Sequence, residues 1–371
     1  MAISGPEYAR RHRAVRELMV EDGFDCLLII GTGDDFNRGN IRYLTGSGRG
    51  GCCIMGPEGP PAFLTDLNQR NNPKLPRMIE ALSRLELKET ADQNATVLEE
   101  LSQRHTGNRI GLVGQGCISV PLYLALKDRF GEPLTDASYI FEKLREIKSP
   151  EEIEKTREAA KIADAVYSLL RKTIKPGMGE FEIYALVKKT AYEMGCEYSF
   201  DLIDAADSSM NMSFHPTADR LEADGTLFME ITPAYQGYYA QLPVTLPVST
   251  YRPRVRKMVQ AWHASDVAAR KVLRPGTRVS DLATVLTETV HSHGFVSPYR
   301  PGHSIGLDAL DFWSITADNH RLLQPGMVVA VHASVIGEFG REGCGMGYTY
   351  LITETGAEQL SKIDLAADLL G

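Results

Sequence analysis

Several features that mark common classes of protein are missing from the sequence. Its six cysteines form no CxxC pair, so neither a zinc ribbon nor a disulfide framework is predicted. No stretch approaches the roughly 20 apolar residues of a membrane span, and the first residues lack the apolar core of a signal peptide. Blocks rich in Lys and Arg are absent, and 40 basic against 48 acidic residues give a net charge of -8. We therefore expect a folded cytoplasmic protein that binds neither nucleic acid nor membranes.

The chain of 371 residues is longer than a domain with a single hydrophobic core usually is, so two domains are expected. Residues 1 to about 145 alternate helical and strand patterns, with buried strands predicted at "DCLLIIG" and "RIGLVGQG". A helix start follows, because Ser149, Pro150 and Glu152 have the spacing of a capping box. The predicted organisation is an α/β N-terminal domain over 1–147 and an α+β domain over 148–371.

The second domain contains an internal repeat. The segment "KPGMGEFEIYALVKKT" from Lys175 resembles "RPGTRVSDLATVLTET" from Arg274, 99 residues later. A similar offset relates "DGTLFMEI" to "PGMVVAVH". The repeat predicts a pseudo-twofold domain, and a cleft between its halves could collect Glu230 from one copy and His332 from the other.

Three residues with catalytic chemistry stand out in that domain. Glu230 lies in the apolar half of "LFMEITPAYQGYYAQLPVT", where an unpartnered carboxylate must pair, bind a metal or do chemistry. His215 in "MNMSFHPTADR" and His303 in "RPGHSIGLD" read as histidines at loop edges. Either alone is as readily an ordinary surface histidine, but the three together suit general acid/base or nucleophilic catalysis.

Other polar motifs are less specific. The segment "GSGRGG" fits GxGxxG, but the strand-like "CCIM" follows where a helix would begin, so a dinucleotide site is rejected. Arg49 in that segment either binds an anion through its guanidinium group or belongs to a solvent-exposed hairpin. Four charged residues are cleft candidates by position only, with solvated surface charge as the alternative, namely Asp308, Asp311, Arg341 and Glu342.

Taken in order, a series of motifs resembles the creatinase, aminopeptidase P and prolidase superfamily over nearly the whole chain. These motifs are "NIRYLTG", "KSPEEIEKTREAAKIAD", "KPGM", the His-Pro loop, "GYY", "GHSIGL", "LQPGMVVAV" and "YLITETGAE". The resemblance implies a C-terminal domain with the pita-bread fold. It also implies a homodimer in which a loop of the partner's N-terminal domain approaches the active site.

The metallopeptidases of that superfamily hold two metals with two Asp, one His and two Glu. The matching positions here are Glu230, Gln241, His303, His332 and, for the second Glu, a place near Gly347. A single carboxylate supplies too little negative charge for two adjacent dications. The resemblance therefore predicts no metal and no other cofactor, and favours the metal-independent branch of creatinase and ectoine hydrolase.

That branch suggests a role for each matching residue. The proton-shuttling His of creatinase corresponds to His215, its pocket Tyr to Tyr239 and its second active-site His to His303. An Arg contributed across the creatinase dimer corresponds to Arg49, and the nucleophilic Glu proposed for ectoine hydrolase corresponds to Glu230.

The sequence-based hypothesis is a metal-independent hydrolase that cleaves a C–N bond of a small polar nitrogen compound, such as a cyclic amidine, an amide or a urea-like molecule. Glu230 would be nucleophile or base, with His215 as acid/base and His303 and Tyr239 as further catalytic residues. Substrate contacts are assigned to Arg49, Gln241, His332, Asp311 and Arg341. The alternatives are a single-metal hydrolase using Glu230, His303 and His332, an Xaa-Pro peptidase-like enzyme with a rearranged site, a non-catalytic peptide- or protein-binding protein, and a lyase.

Overall fold

A computed structural model describes residues 2–66, 83–104, 107, 109–131, 134–205, 213–337 and 342–371. The chain divides into two compact units, Met1–Glu146 and Ile147–Gly371. No helix within these ranges is both long enough and apolar enough to cross a membrane.

The first unit is built on a six-stranded mixed sheet in the order β4-β3-β2-β1-β5-β6. Its central strand β1 pairs antiparallel with β2 and parallel with β5. The strands are β1 Phe24–Gly31, β2 Gly51–Met55, β3 Ala62–Asp66, β4 Glu86–Thr90, β5 Arg109–Val113 and β6 Leu134–Asp136. The helices are α1 Gly5–Glu21, α2 Gly39–Thr45, α3 Gln93–Arg104, α4 Val120–Phe130 and α5 Ser138–Glu146. Apolar residues such as Leu28, Ile54 and Leu112 form its core.

The second unit contains the long helix predicted from the capping box. Ser149 N–H donates to the Glu152 carboxylate at 2.7 Å, and Glu152 N–H donates to Ser149 Oγ at 3.4 Å. Both donors would otherwise be unpaired at the helix start, so the box fixes where the helix begins. The helices of this unit are α6 Pro150–Thr173, α7 Glu180–Glu193, α8 Pro253–Val272, α9 Val279–Ser292 and α10 Leu365–Leu370.

The strands of the second unit form two larger half-sheets, β12-β9-β8 and β13-β14-β17-β18, together with the smaller sheets β11-β10-β7 and β15-β16. The strands of the first half are β7 Tyr198–Ser199, β8 Leu202–Asp204, β9 Thr226–Ile231, β10 Pro233–Tyr235, β11 Tyr238–Tyr239 and β12 Leu242–Pro247. Those of the second half are β13 Gly302–Ser304, β14 Val328–Val331, β15 Ser334–Ile336, β16 Gly343–Gly345, β17 Tyr348–Ile352 and β18 Ala357–Gln359.

The predicted internal repeat is confirmed by the helices. Helix α9 begins at Val279, 99 residues after α7 begins at Glu180, and the two helices have the same length of 14 residues. Each follows a longer helix, α6 or α8. Sequence similarity at this offset therefore reports two copies of the same helix, turn, helix unit.

The two half-sheets meet along a seam where β12 faces the β16–β17 region. Gly347 N–H donates to Pro243 O at 3.0 Å, and Gln241 N–H donates to Thr349 Oγ1 at 2.8 Å. These bonds cross from one half of the repeat to the other. They fix the relative position of the residues that each half contributes to the seam.

Candidate active site

Glu230 lies in the middle of the first half-sheet. In strand β9 it is opposite Pro243 of β12 and Leu202 of β8, and it is 7% exposed. Burial raises the pKa of its carboxyl to about 7, against opposing effects of a hydrogen bond from Gln241 and the positive charge of Arg300. A group with this pKa can both accept and return a proton near neutrality.

Gln241 is held so that its amide meets that carboxylate. Its backbone N–H donates to Thr349 Oγ1 at 2.8 Å, and the Thr349 hydroxyl donates back to Gln241 O at 3.0 Å. Because Oε1 has no partner among the described residues, the hydrogen bond to Glu230 comes from the side-chain N–H₂. Gln241 thus orients Glu230 and keeps a buried acceptor available.

Two imidazoles from the second half-sheet lie side by side. The rings of His303 and His332 have centroids 5.2 Å apart in an edge-on arrangement. His332 N–H donates to Pro301 O at 2.9 Å, and His303 in β13 is paired with Ala330 in β14. The chain therefore presents one ring from β13 and the other from the residue that follows β14.

Both imidazoles are neutral at physiological pH. Burial lowers the pKa of His303 to about 4 and takes that of His332 well below its ordinary value, and the Arg300 charge lowers both further. His303 Nδ1–H donates to Ser304 O at 3.0 Å, which leaves Nε2 as an acceptor. His332 Nε2 is buried and has no partner within the described ranges.

Gly347 explains why the site has no carboxylate at this point of the seam. A Cβ at this position would overlap the Val331 carbonyl oxygen and the Cβ of His332. The backbone there leaves no space for any side chain. The second half-sheet therefore contributes no carboxylate from position 347.

Arg300 is a residue that the sequence reasoning missed. It is exposed, it precedes the Pro301 carbonyl that holds the His332 backbone, and its charge acts on Glu230 and both imidazoles. The signal that could have found it was its place three residues before His303 in the same motif. Asp201 was also missed, and its charge opposes that of Arg300 by raising the pKa of Glu230.

Tyr239 is packed inside the second unit. It is 0% exposed, its N–H donates to Gly306 O at 2.8 Å, and it lies in an apolar cluster with Ala240 and Ile305. Its predicted catalytic role stays a prediction. The Tyr239 side chain is buried within that cluster.

Other predicted site residues lie in different surroundings. His215 is exposed on a turn where its N–H donates to Ser213 Oγ at 3.2 Å, and Arg49 is exposed in the first unit. Arg341 lies outside the described residues. The roles predicted for these three residues stay predictions.

Asp311 is engaged in a buried ion pair. Its Oδ2 accepts from Lys148 Nζ at 3.1 Å, with the two side chains 1% and 3% exposed. The alternative of solvated surface charge is therefore wrong for Asp311, and also for Asp308, which is 4% exposed. The ion pair explains the burial of the Asp311 carboxylate, and its predicted contact with substrate stays a prediction.

The donor set does not fit a two-metal centre. Glu230 is the one carboxylate at the five positions of the superfamily's ligand set, and Gly347 has no space for another. The positive charge of Arg300 acts on Glu230, the one carboxylate of that set, and lowers its pKa. Across the described part of the chain, no three residues of the types His, Cys, Asp and Glu come together to hold a metal ion.

Comparison with known families identifies both units. The model of Metallopeptidase family M24 matches residues 154–354, and that of the Creatinase/Prolidase N-terminal domain matches residues 11–147. An uncharacterized peptidase, YqhT, of Bacillus subtilis is 24% identical over 353 residues, which cover 92% of this chain and 95% of the relative. An uncharacterized peptidase of Staphylococcus aureus is 24% identical over 233 residues, which cover 62% of this chain and 66% of the relative.

Solved structures share the fold. The prolidase from Pyrococcus furiosus superposes with a TM-score of 0.81 at 20% identity, covering 94% of this chain and 99% of the prolidase. The Xaa-Pro dipeptidase from Bacillus anthracis gives 0.82 at 20% identity, covering 96% and 98%. The expected two-domain architecture with a pita-bread C-terminal domain is thereby confirmed.

The comparisons correct the predicted activity. A hydrolase for non-peptide C–N bonds of small polar compounds is wrong, because the relatives and structural neighbours are described as peptidases, prolidases and Xaa-Pro dipeptidases. The superfamily was identified from the motifs, but its metal-independent ectoine hydrolase branch finds no support among these proteins.

Proposed function

Because the chain belongs to metallopeptidase family M24, we propose that it hydrolyses a peptide bond of a short peptide, using Glu230 in place of a metal pair. The observation that carries the proposal is the buried Glu230 carboxyl with a pKa of about 7, hydrogen-bonded to Gln241 at the seam between the half-sheets. Xaa-Pro peptides are the first substrates to test, since the structural neighbours include a prolidase and an Xaa-Pro dipeptidase.

The proposed reaction uses one carboxyl for both proton transfers. Ionised Glu230 takes a proton from a water molecule as the water oxygen bonds to the peptide carbonyl carbon. Protonated Glu230 then gives that proton to the peptide nitrogen as the C–N bond breaks, yielding a carboxylic acid and an amine. A pKa of about 7 suits both transfers, because neither protonation state is strongly disfavoured near neutral pH.

The neutral imidazoles would position the water and the peptide. With a low pKa and an unpartnered Nε2, His332 can accept the second hydrogen of the attacking water. His303 Nε2 and Gln241 Oε1 offer two further acceptors for N–H groups of the substrate. Placing these acceptors before the reaction supplies the orientation that catalysis requires.

The test is hydrolysis of matched dipeptides, Xaa-Pro and Xaa-Ala, by protein dialysed against a chelator, with the released amino acids measured by mass spectrometry. We expect wild type to release product and Glu230→Gln to lose at least about 100-fold in turnover, as expected for loss of a general acid/base. Glu182→Gln, an exposed carboxylate on α7, is the matched control and should retain activity. Equal turnover by wild type and Glu230→Gln would refute the proposed role.

A further inference from the structure

A groove on the first unit is lined by basic side chains. It lies between helix α1 and the loop that joins β2 to β3, and its volume of about 320 Å³ falls in the usual range of ligand pockets. Among the described residues, its titratable lining consists of His12, Arg13, Arg16 and Arg84, with no Asp or Glu. The net charge of the whole chain is -8, so the local charge of this groove is opposite in sign to that of the protein.

Helix α1 supplies one side of the groove. Ala9, His12, Arg13 and Arg16 are spaced at i, i+3, i+4 and i+7, so they share one face of the helix. His12 is buried, and its Nε2–H donates to Leu44 O at 2.8 Å. Burial lowers the pKa of His12, and the charges of neighbouring arginines lower it further, so His12 is neutral at physiological pH. The charge of the groove therefore comes from its arginines.

Arg16 fixes the loop that forms the opposite side. Its Nε donates to Gly56 O at 3.0 Å, and its Nη2 donates to Gly59 O at 2.7 Å. Gly59 has a φ of 73°, in the left-handed region that favours glycine, and the two prolines that follow restrict the backbone further. The two sides of the groove are therefore held in place before any ligand binds.

Arg84 reaches the groove from a third part of the chain. The Glu86 N–H at the start of β4 donates to Pro61 O at 2.9 Å, and Arg84 lies two residues earlier on a turn. Pro61 and Arg84 both line the groove. The backbone hydrogen bond therefore places this arginine beside the loop that Arg16 holds.

Two of the three arginines have no anionic partner. In the ranges that the structure describes, neither Arg13 nor Arg84 takes part in an ion pair or a side-chain hydrogen bond. On α1, Glu7 is already paired with two other arginines at 2.7 and 3.0 Å, and Glu17 lines an adjoining depression without pairing with Arg13. Like charges around one groove repel each other, and a bound anion would relieve that repulsion.

We propose that this groove binds the phosphate group of a small molecule. A phosphate monoester carries a charge of about -1.5 to -2 near pH 7 and three acceptor oxygens, whereas a carboxylate carries a single charge. Guanidinium groups bind phosphate oxygens through paired N–H···O bonds, and Arg13 and Arg84 offer two such groups. The groove lies in the first unit, so the inference does not depend on the reaction proposed for Glu230.

The experiment is isothermal titration calorimetry of the full chain at low salt with phenyl phosphate, inorganic phosphate and benzoate. Phenyl phosphate and benzoate share the ring and differ in the anionic group, while inorganic phosphate lacks the organic part. The variants are Arg13→Gln and Arg84→Gln, both at exposed positions, so each removes charge without opening a cavity. Arg129→Gln, an exposed arginine of α4 that does not line the groove, is the control for a general loss of positive charge.

We expect one phenyl phosphate to bind per chain, and Arg13→Gln and Arg84→Gln each to weaken it roughly 10-fold or more, the effect of losing a charged hydrogen bond. Arg129→Gln should leave the affinity unchanged, and benzoate should bind at least about 10-fold more weakly than phenyl phosphate. Equal affinity for phenyl phosphate and inorganic phosphate would identify the free anion as the ligand. Tighter binding of phenyl phosphate would identify an organic phosphate, and both results support a phosphate site.

Three results would overturn the inference. They are no binding of either phosphate, benzoate binding as tightly as phenyl phosphate, and an equal loss of affinity in all three arginine variants. The Glu230→Gln variant should bind phenyl phosphate as wild type does. A failure of the proposed peptide hydrolysis therefore leaves the phosphate site standing, and loss of phosphate binding leaves peptide hydrolysis untouched.

Discussion

Replacing Glu230 by Gln should stabilise the second unit at alkaline pH while removing its activity. The folded state raises the pKa of this carboxyl from its ordinary value of 4.5 to about 7 through burial. Since one unit of pKa corresponds to about 1.4 kcal/mol, ionised Glu230 costs about 3 kcal/mol of folding free energy above pH 7. Gln keeps the shape and a hydrogen bond to Gln241, and it has no charge to desolvate.

The direction of the change in stability with pH follows from the number of protons bound in the folded and unfolded states. Between pH 4.5 and about 7, the folded state holds a proton on Glu230 that the unfolded state has lost, so stability falls as pH rises through this window. The Glu230→Gln variant has no such carboxyl, so its stability does not fall in this window for this reason. Its free energy of unfolding relative to wild type should therefore increase by about 2–3 kcal/mol between pH 5 and pH 8.

The assay is urea unfolding followed by tryptophan fluorescence at the two pH values. Both tryptophans, Trp262 and Trp313, lie in the second unit and are 2% and 7% exposed, so the signal reports the unit that contains Glu230. Glu182→Gln should show no comparable pH dependence, because that carboxylate is exposed. A stability difference between wild type and Glu230→Gln that does not change with pH would refute the raised pKa, and with it the argument for Glu230 as base.

Three further substitutions test the surroundings of the site. Gln241→Leu removes the hydrogen bond that lowers the pKa of Glu230. The acid limb of the pH profile of kcat/KM, expected near pH 7, should therefore move to higher pH. An acid limb that does not move would show that this hydrogen bond is unimportant for the pKa of Glu230. Lys148→Met removes the cation that is paired with the buried Asp311 carboxylate and should cost about 3–5 kcal/mol in urea unfolding, whereas a negligible loss would contradict the buried ion pair. Gly347→Ala introduces a Cβ into the Val331 carbonyl, so stability and peptide turnover should both fall, and a fully active, equally stable variant would contradict the tight seam.

The elements of this protein were predictable where the signal is local. The capping box of Ser149 and Glu152 depends on four consecutive residues, and the repeat depends on helices whose apolar spacing survives at a fixed offset. Glu230 was found because an acid inside an apolar strand requires an explanation, and its raised pKa supplies a physical one.

The rest of the site depends on packing across the seam. Sequence spacing cannot show that Gly347 abuts His332, or that Arg300 acts on three groups contributed by two half-sheets. An exposed arginine in a loop has many ordinary explanations, so its position in the sequence does not predict a role in the site. The activity is not predictable for a related reason, because the loss of metal ligands at the five matching positions does not reveal which class of substrate the site binds.

The most direct test of the account is the turnover of an Xaa-Pro dipeptide by protein whose metal content has been measured by elemental mass spectrometry in the same sample. The account predicts that metal-depleted protein hydrolyses the peptide, that added zinc, manganese or iron does not increase the rate, and that Glu230→Gln is inactive under both conditions. Activity that appears only with stoichiometric metal would contradict it, and would assign Glu230, His303 and His332 to a metal site.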